Sequence, residues 1–260
     1  MTASEYIAAL QARGRFTFST VDAQETMGVS LTAARSALRR LKKKVHIATV
    51  HRGFHVIVPP AYRELGCLPA EQFIPDLMSH LGEPYYVGLL SAAMYHGAAH
   101  QAPMVFQVVV PKPRRPISAG GVRVEFIGRG NMADTPVAER NTETGVLRIA
   151  SPEATAVELL GYPERCGYLN NVATVLAELA EVMDGAALRV EARRAPVAWV
   201  QRLGFLLTLV EAEELASQLK VVLAEVQMFP VPLAPWESMK GAMRDARWQV
   251  AINIEVEPDL

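Results

Sequence analysis

The stretch "VSLTAARSALRRLKKK", residues 29–44, holds the side chains whose types and spacing suggest chemistry. Thr32, Arg35, Ser36 and Arg39 recur at i, i+3, i+4 and i+7, the spacing of one helical face. Arginine offers a planar fork that fits the acceptor edge of guanine, and Thr and Ser reach either bases or phosphates. Arg40, Lys42, Lys43 and Lys44 continue the basic run, and the three lysines suit phosphates, adding affinity and salt dependence rather than sequence choice. A basic run on a helix is more often a solvated face. Its position decides for DNA here, because it falls on the third helix of a three-helix pattern with a hairpin behind it.

The remaining candidates for chemistry are weaker. There is no glycine-rich phosphate loop, no His-Glu-x-x-His pair, no nucleophile elbow and no cysteine cluster. "GRGNMA" (128–133) lacks the third glycine and the following helix of a dinucleotide turn, and is expected to be a loop. His96 and His100 are four apart, but Gly97 between them ends the helix and no third ligand is evident, so no metal site is expected. Glu125 has no Glu-x-Lys or Asp-x-Lys companion, which argues against a nuclease centre. Cys67 and Cys166 are expected to be small apolar residues. No cofactor and no enzymatic role follow from these residues. Lys112, Arg114 and Arg115 form a second basic cluster that would meet DNA flanks or a protein partner, or lie solvated.

The elements that must position the basic face are legible. Thr2 and Glu5 form a capping-box pattern before Tyr6, Ile7 and Leu10, and Gly14 stops that helix. "RFTFST" is extended. A second short helix follows, with Thr20 expected as its N-cap and Gly28 as its stop. Ser30 caps the third, Leu31 to about Lys43, whose inward stripe is expected to be Leu31, Ala34, Leu38 and Leu41. "VHIATVH" and "FHVIV" alternate as two strands joined by Arg52-Gly53, a two-residue hairpin loop. Together these predict a winged helix-turn-helix over residues 1–60, with Arg52 at the wing tip.

Charge supports the division. The first sixty residues hold nine Lys or Arg against three acids, a balance of +6, while the whole chain of 260 carries −1. A basic head on an acidic body points to nucleic acid without choosing between DNA and RNA. No apolar run is long enough to span a bilayer, the opening residues are not signal-like, and two distant cysteines fit a reducing, cytoplasmic setting, so no membrane role is expected.

Pro59-Pro60 marks a boundary. Helical pattern in "FIPDLMSHL" and "YYVGLLSAAMYHGAAH" is followed by strand-like runs at 105–111, 122–128 and 146–150, with "KPRRPISAGG" as a loop. From Ser151, a natural N-cap before Pro152, the chain turns helical: one helix to Gly161, one in "NNVATVLAELAEVM" stopped by Asp184-Gly185, then "VAWVQRLGFLLTLV" and "EELASQLKVVLAEV". The tail "RWQVAINIEV" alternates as a half-buried strand expected to close back onto the sheet. The predicted class is α+β: the winged helix at 1–60, a small mixed α+β part at 61–150, and a mostly helical part with a final strand at 151–260.

The order winged helix, "YYVGLLSAAMYHGAAHQAP", "SPEATAVELL", "VQRLGFLL" and "RWQVAINIEVEPDL" resembles the AbiEi family of antitoxins, transcriptional regulators of type IV toxin–antitoxin systems of the abortive-infection type. Its most specific pieces are Arg202-Leu203-Gly204 and Arg247-Trp248 followed by Ile252-Asn253. The resemblance covers nearly the whole chain. It implies a DNA-binding autorepressor of inverted repeats in its own promoter. It also implies a C-terminal part that counteracts a nucleotidyltransferase-like toxin without a stable complex. The family's recognition helix and wing match Thr32, Arg35, Ser36, Arg39 and Arg52, whereas Arg202 reads more simply as packing. The alternative is a winged-helix repressor with a small-molecule-sensing C-terminal domain, which an apolar pocket with converging polar groups in residues 61–260 would favour.

Overall fold

A computed structural model describes residues 1–98 and 103–259. The chain forms two compact units. One comprises Met1–Val87, Met104–Met132 and Glu139–Arg148; the other Gly88–Pro103, Ala133–Ala138 and Ile149–Leu260.

In the first unit, helix α1 (Ala3–Gln11) opens with the reciprocal Thr2–Glu5 capping box and buries Tyr6, Ile7 and Leu10. Strand β1 (Thr17–Ser19) leads into α2 (Thr20–Met27). The cap of α2 is Ser19 rather than the expected Thr20: its hydroxyl accepts from the Asp22 amide while the Asp22 carboxylate accepts from the Ser19 amide. Thr20 instead turns inward, its hydroxyl 2.9 Å from His55 Nε2. Ser30 caps α3 (Leu31–Lys43), and β2 (Ile47–His51) and β3 (Phe54–Ile57) form the hairpin. His51 pairs with Phe54, leaving Arg52 and Gly53 as the loop, with Gly53 at φ +78° where a side chain is strained. The antiparallel sheet runs β1-β3-β2, and it shares one apolar core with the three helices, built on Tyr6, Phe18, Leu38, Leu41, Ile47 and Ile57.

Next come α4 (Ile74–Leu81), β4 (Tyr86–Val87) and, in the second unit, α5 (Leu89–Tyr95). Tyr86 and Val87, expected at the head of a helix, are a strand paired antiparallel with β5 (Phe106–Val110). β6 (Ile117–Ala119) lies inside the stretch expected to be a loop; Pro113, Pro116 and Gly120 mask three residues whose alternate members, Ile117 and Ala119, are buried. β7 (Val122–Gly128), β8 (Val137–Thr142) and β9 (Gly145–Ala150) complete a six-stranded sheet of order β6-β7-β5-β4-β9-β8, in which β5 and β7 are parallel.

The second unit is dominated by helices: α6 (Pro152–Leu159), α7 (Tyr168–Ala180), α8 (Gly185–Arg194), α9 (Val197–Leu209) and α10 (Glu213–Leu223). The Asp184-Gly185 pair not only follows one helix but starts α8, because the Asp184 carboxylate caps the Ala187 amide. The tail does not return to the large sheet. β10 (Val231–Pro232), β11 (Met243–Asp245) and β12 (Val250–Ile252) make a separate sheet of order β10-β12-β11. It is locked to α9 by Trp248, fully buried against Gly204, whose missing Cβ is the space the indole fills. Trp248 Nε1 donates to the Thr208 hydroxyl at 3.1 Å, and Gln201 Nε2 donates to the Trp248 and Phe229 carbonyls, each at 2.9 Å. A methyl group at Gly204 must displace the ring. Gly204→Ala is therefore expected to destabilise the protein by about 1–3 kcal/mol, read as a lower urea midpoint at unchanged slope.

Candidate nucleic-acid interface

Burial sets the rotation of α3. Ala34, Leu38 and Leu41 are 0%, 3% and 5% exposed, whereas Leu31, expected on the same stripe, is 37% exposed. Leu31 lies in the first turn, beyond the reach of the core, and lines a surface groove instead. All nine residues predicted to contact DNA are solvent-exposed: Thr32, Arg35, Ser36, Arg39, Arg40, Lys42, Lys43 and Lys44 on the helix or its C-cap, and Arg52 at the hairpin tip.

They do not all line one groove. Arg35 and Arg52 meet at a groove of 780 Å³ that also takes in the capped start of α2, Leu31, His55 and His80. Arg40 and Lys44 line a different groove with Met1, Met27 and Val29. Thr32, Ser36, Arg39 and Lys43 fall between these flanks by helical spacing. Among the described residues, none of the seven cationic side chains makes an ion pair with an acid.

His55 and His80 are the groove residues that the sequence did not disclose. His55 on β3 is 8% exposed. Its Nε2 lies 2.9 Å from the Thr20 hydroxyl and its Nδ1 3.2 Å from that of Thr49. Burial, then the positive field of Lys42, pushes its pKa down to about 4, so the ring is neutral at pH 7 and ties α2 to the hairpin. His80 stands exposed in the last turn of α4 with its ring 4.9 Å from that of Phe54.

Elsewhere the weaker candidates resolve into packing. Arg114 is held by both Glu83 carboxylate oxygens at 2.7 Å, which leaves Lys112 and Arg115 as the exposed cations of that loop. His96 Nε2 donates to the Ala150 carbonyl at 2.7 Å, and His100 lies outside the described residues. Among the described residues no group of three or more His, Cys, Asp or Glu could hold a metal. Glu125 sits in β7 opposite Gln107. Burial pushes both cysteine thiols up to about 12, where neither is a nucleophile at neutral pH. Arg202 is buried and its Nε donates to the Pro232 carbonyl at 2.8 Å, joining α9 to β10. A 320 Å³ groove in the second unit is lined by Ala192, Val197, Val200, Val222 and Leu223, with Arg193 and Glu225 paired at its rim. No helix is long and apolar enough to cross a membrane.

Residues 86–209, from β4 to the end of α9, match the family model of the AbiEi antitoxin C-terminal domain. That segment is similar to the C-terminal domain of AbiEi antitoxins. The matched segment includes Arg202-Leu203-Gly204 and stops short of Trp248, which packs against that glycine. The chain also shares its fold with the RV2827C protein from Mycobacterium tuberculosis, known from a crystal structure. The TM-score is 0.67 at 19% identity, over 95% of this chain and 90% of the other. No curated protein matches the chain.

The buried histidine makes the stability of the protein depend on pH. Between pH 6.5 and about 4 the unfolded chain binds a proton that folded His55 does not, so stability present above pH 6.5 is lost as pH falls through that window. Going from pH 7 to pH 5, wild type is expected to lose about 2 kcal/mol more than His55→Gln, measured by urea unfolding at each pH.

Proposed function

We propose that the protein is a DNA-binding autorepressor and the antitoxin of a type IV, abortive-infection-type toxin–antitoxin system. Residues 1–60 act as a winged helix-turn-helix, with α3 as the recognition helix and the β2–β3 hairpin as the wing. The observation that carries this reading is the outward face of α3: seven cations on that helix and the wing tip lie exposed without an acidic partner, and Arg35 and Arg52 share one groove. Double-stranded DNA is the polyanion that a helix of this width enters, through the major groove.

In this reading Arg35 and Arg39 contact base edges, with Thr32 and Ser36 at bases or phosphates between them. Arg40, Lys42, Lys43 and Lys44 contact phosphates on either flank, and Arg52 reaches a neighbouring phosphate or the minor groove. Inverted repeats in the protein's own promoter would seat two copies on one face of the duplex, with half-sites about 10 base pairs apart. The parts at 61–150 and 151–260 serve the antitoxin role, which the match of residues 86–209 to the AbiEi antitoxin C-terminal domain supports. They counteract a nucleotidyltransferase-like toxin in the cytoplasm without catalysis and without a stable complex.

The test of the repressor half is binding to the DNA upstream of the gene across a salt series, beside a scrambled duplex. Arg35→Ala and Arg39→Ala are each expected to cost about 1–3 kcal/mol on the upstream duplex and to relax sequence choice. Lys43→Ala is expected to weaken both duplexes evenly and to lower the salt slope by about one. Equal losses on both duplexes for all three variants would refute base reading by α3. Co-expression with the neighbouring gene tests the other half: growth restored by the full chain supports the antitoxin role, and unrelieved toxicity refutes it.

A further inference from the structure

The wall of the Arg35–Arg52 groove is completed from outside the first sixty residues. His80, in the last turn of α4, lines it together with Ser19, Thr20, Arg35, Arg52 and Gly53. The position of α4 is fixed by contacts to the β1–β3 side of the head. The Thr17 hydroxyl donates to the Asp76 carboxylate on α4, and the His80 ring lies tilted at 39° against Phe54, the first residue of the wing's second strand. A stacked ring keeps its edge nitrogens directed away from its partner's face, and His80 is solvent-exposed. Of the acids nearby, Asp22 lines the same groove and accepts the Ser19 amide, and Asp76 accepts the Thr17 hydroxyl. The cations lining the groove, Arg35 and Arg52, have no acidic partner among the described residues.

We propose that α4 is part of the DNA-contacting surface and that His80 donates a hydrogen bond to a backbone phosphate beside the wing. This rests on the DNA-binding reading of α3 and extends it: the footprint covers a phosphate outside the bases that α3 contacts. Phe54 acts as the platform. It belongs to the hairpin that carries Arg52, so the wing and α4 reach the same strand of the duplex as one surface. A phosphate contact positions without reading sequence, so His80 adds affinity and register rather than base choice.

The test uses the full chain with the upstream and scrambled duplexes, comparing wild type with His80→Phe, which keeps the stack on Phe54 and removes the donor. His80→Gln serves as a second variant that keeps a donor. His80→Phe is expected to weaken both duplexes by about three- to tenfold, the size of one hydrogen bond. His80→Gln is expected to recover part of that loss. Phosphate-ethylation interference is expected to show one wing-side phosphate whose ethylation weakens wild type and leaves His80→Phe unaffected. Selective wild-type binding with unchanged affinity and interference pattern in His80→Phe would overturn the role of α4 while leaving the α3 reading intact. Wild type that fails to prefer the upstream duplex, with no loss in Arg35→Ala, would overturn both.

Discussion

The rotation of α3 about its own axis is the constraint on which the candidate interface depends, and three small or branched side chains set it. Ala34, Leu38 and Leu41 are buried against α1, β2 and the rest of the head's core. Burying the leucines alone is worth about 1.5–3 kcal/mol each, so a turned helix would expose them while placing Arg35 or Arg39 in an apolar interior. With the stripe held inward, Thr32, Ser36, Arg39 and Lys43 have no direction left but outward. The neutral His55 reinforces the arrangement. Its Nε2 joins the hairpin to α2 and its Nδ1 joins the two hairpin strands, without adding a charge beneath an already positive surface.

A second constraint holds the other unit. The residues most specific to the family resemblance prove to be the ones that fasten α9 to the small C-terminal sheet. Gly204 makes room for the Trp248 indole, Arg202 and Gln201 bond to carbonyls of the terminal segments, and Asn253 Nδ2 donates to the Ala234 carbonyl at 2.8 Å. Arg247 lies over the Trp248 ring and pairs with Glu213 at the start of α10. These are packing roles. The reading of Arg202 as packing agrees with its buried Nε–carbonyl bond.

Elements with a strong local signal were legible in the sequence. The 3.6-residue period of α3, the Ser30 and Ser151 caps, the Arg52-Gly53 hairpin and the alternation in β7 all needed only neighbours along the chain. What depends on distant partners was not. β8 (Val137–Thr142) is mostly exposed and carries no alternating apolar signal. The tail's alternation is real, but it does not say which strand will accept it, and β12 pairs with β10 and β11. Asp184 serves as both a stop and a cap, and only the second role reveals α8. Leu31 departs from its expected stripe because the core ends one turn earlier than the period does. His80 was invisible as a groove residue because a tertiary ring contact, not sequence spacing, brings α4 beside the β2–β3 hairpin.

The pattern of ion pairing gives the charge division its physical meaning. Outside the first sixty residues several arginines find acids: Arg114 with Glu83, Arg193 with Glu225, Arg194 with Glu191 and Arg247 with Glu213. Within them, nine basic side chains have no such partner among the described residues. Exposed pairs are worth little for stability, yet they cancel each other's field, so the body presents little net attraction to a polyanion despite its many cations. The head keeps its field. Uncancelled charge of one sign raises the folding cost through self-repulsion, and it steers a phosphate backbone toward the face that carries it over a range set by the ionic strength. The depressed pKa of His55 comes first from burial, and the field of Lys42 adds to it in keeping the ring uncharged. In the proposed DNA-binding reading, a head that tolerates this repulsion while its core stays apolar and well capped serves a negatively charged partner, with the groove lined by Arg35 and Arg52 as its place of contact.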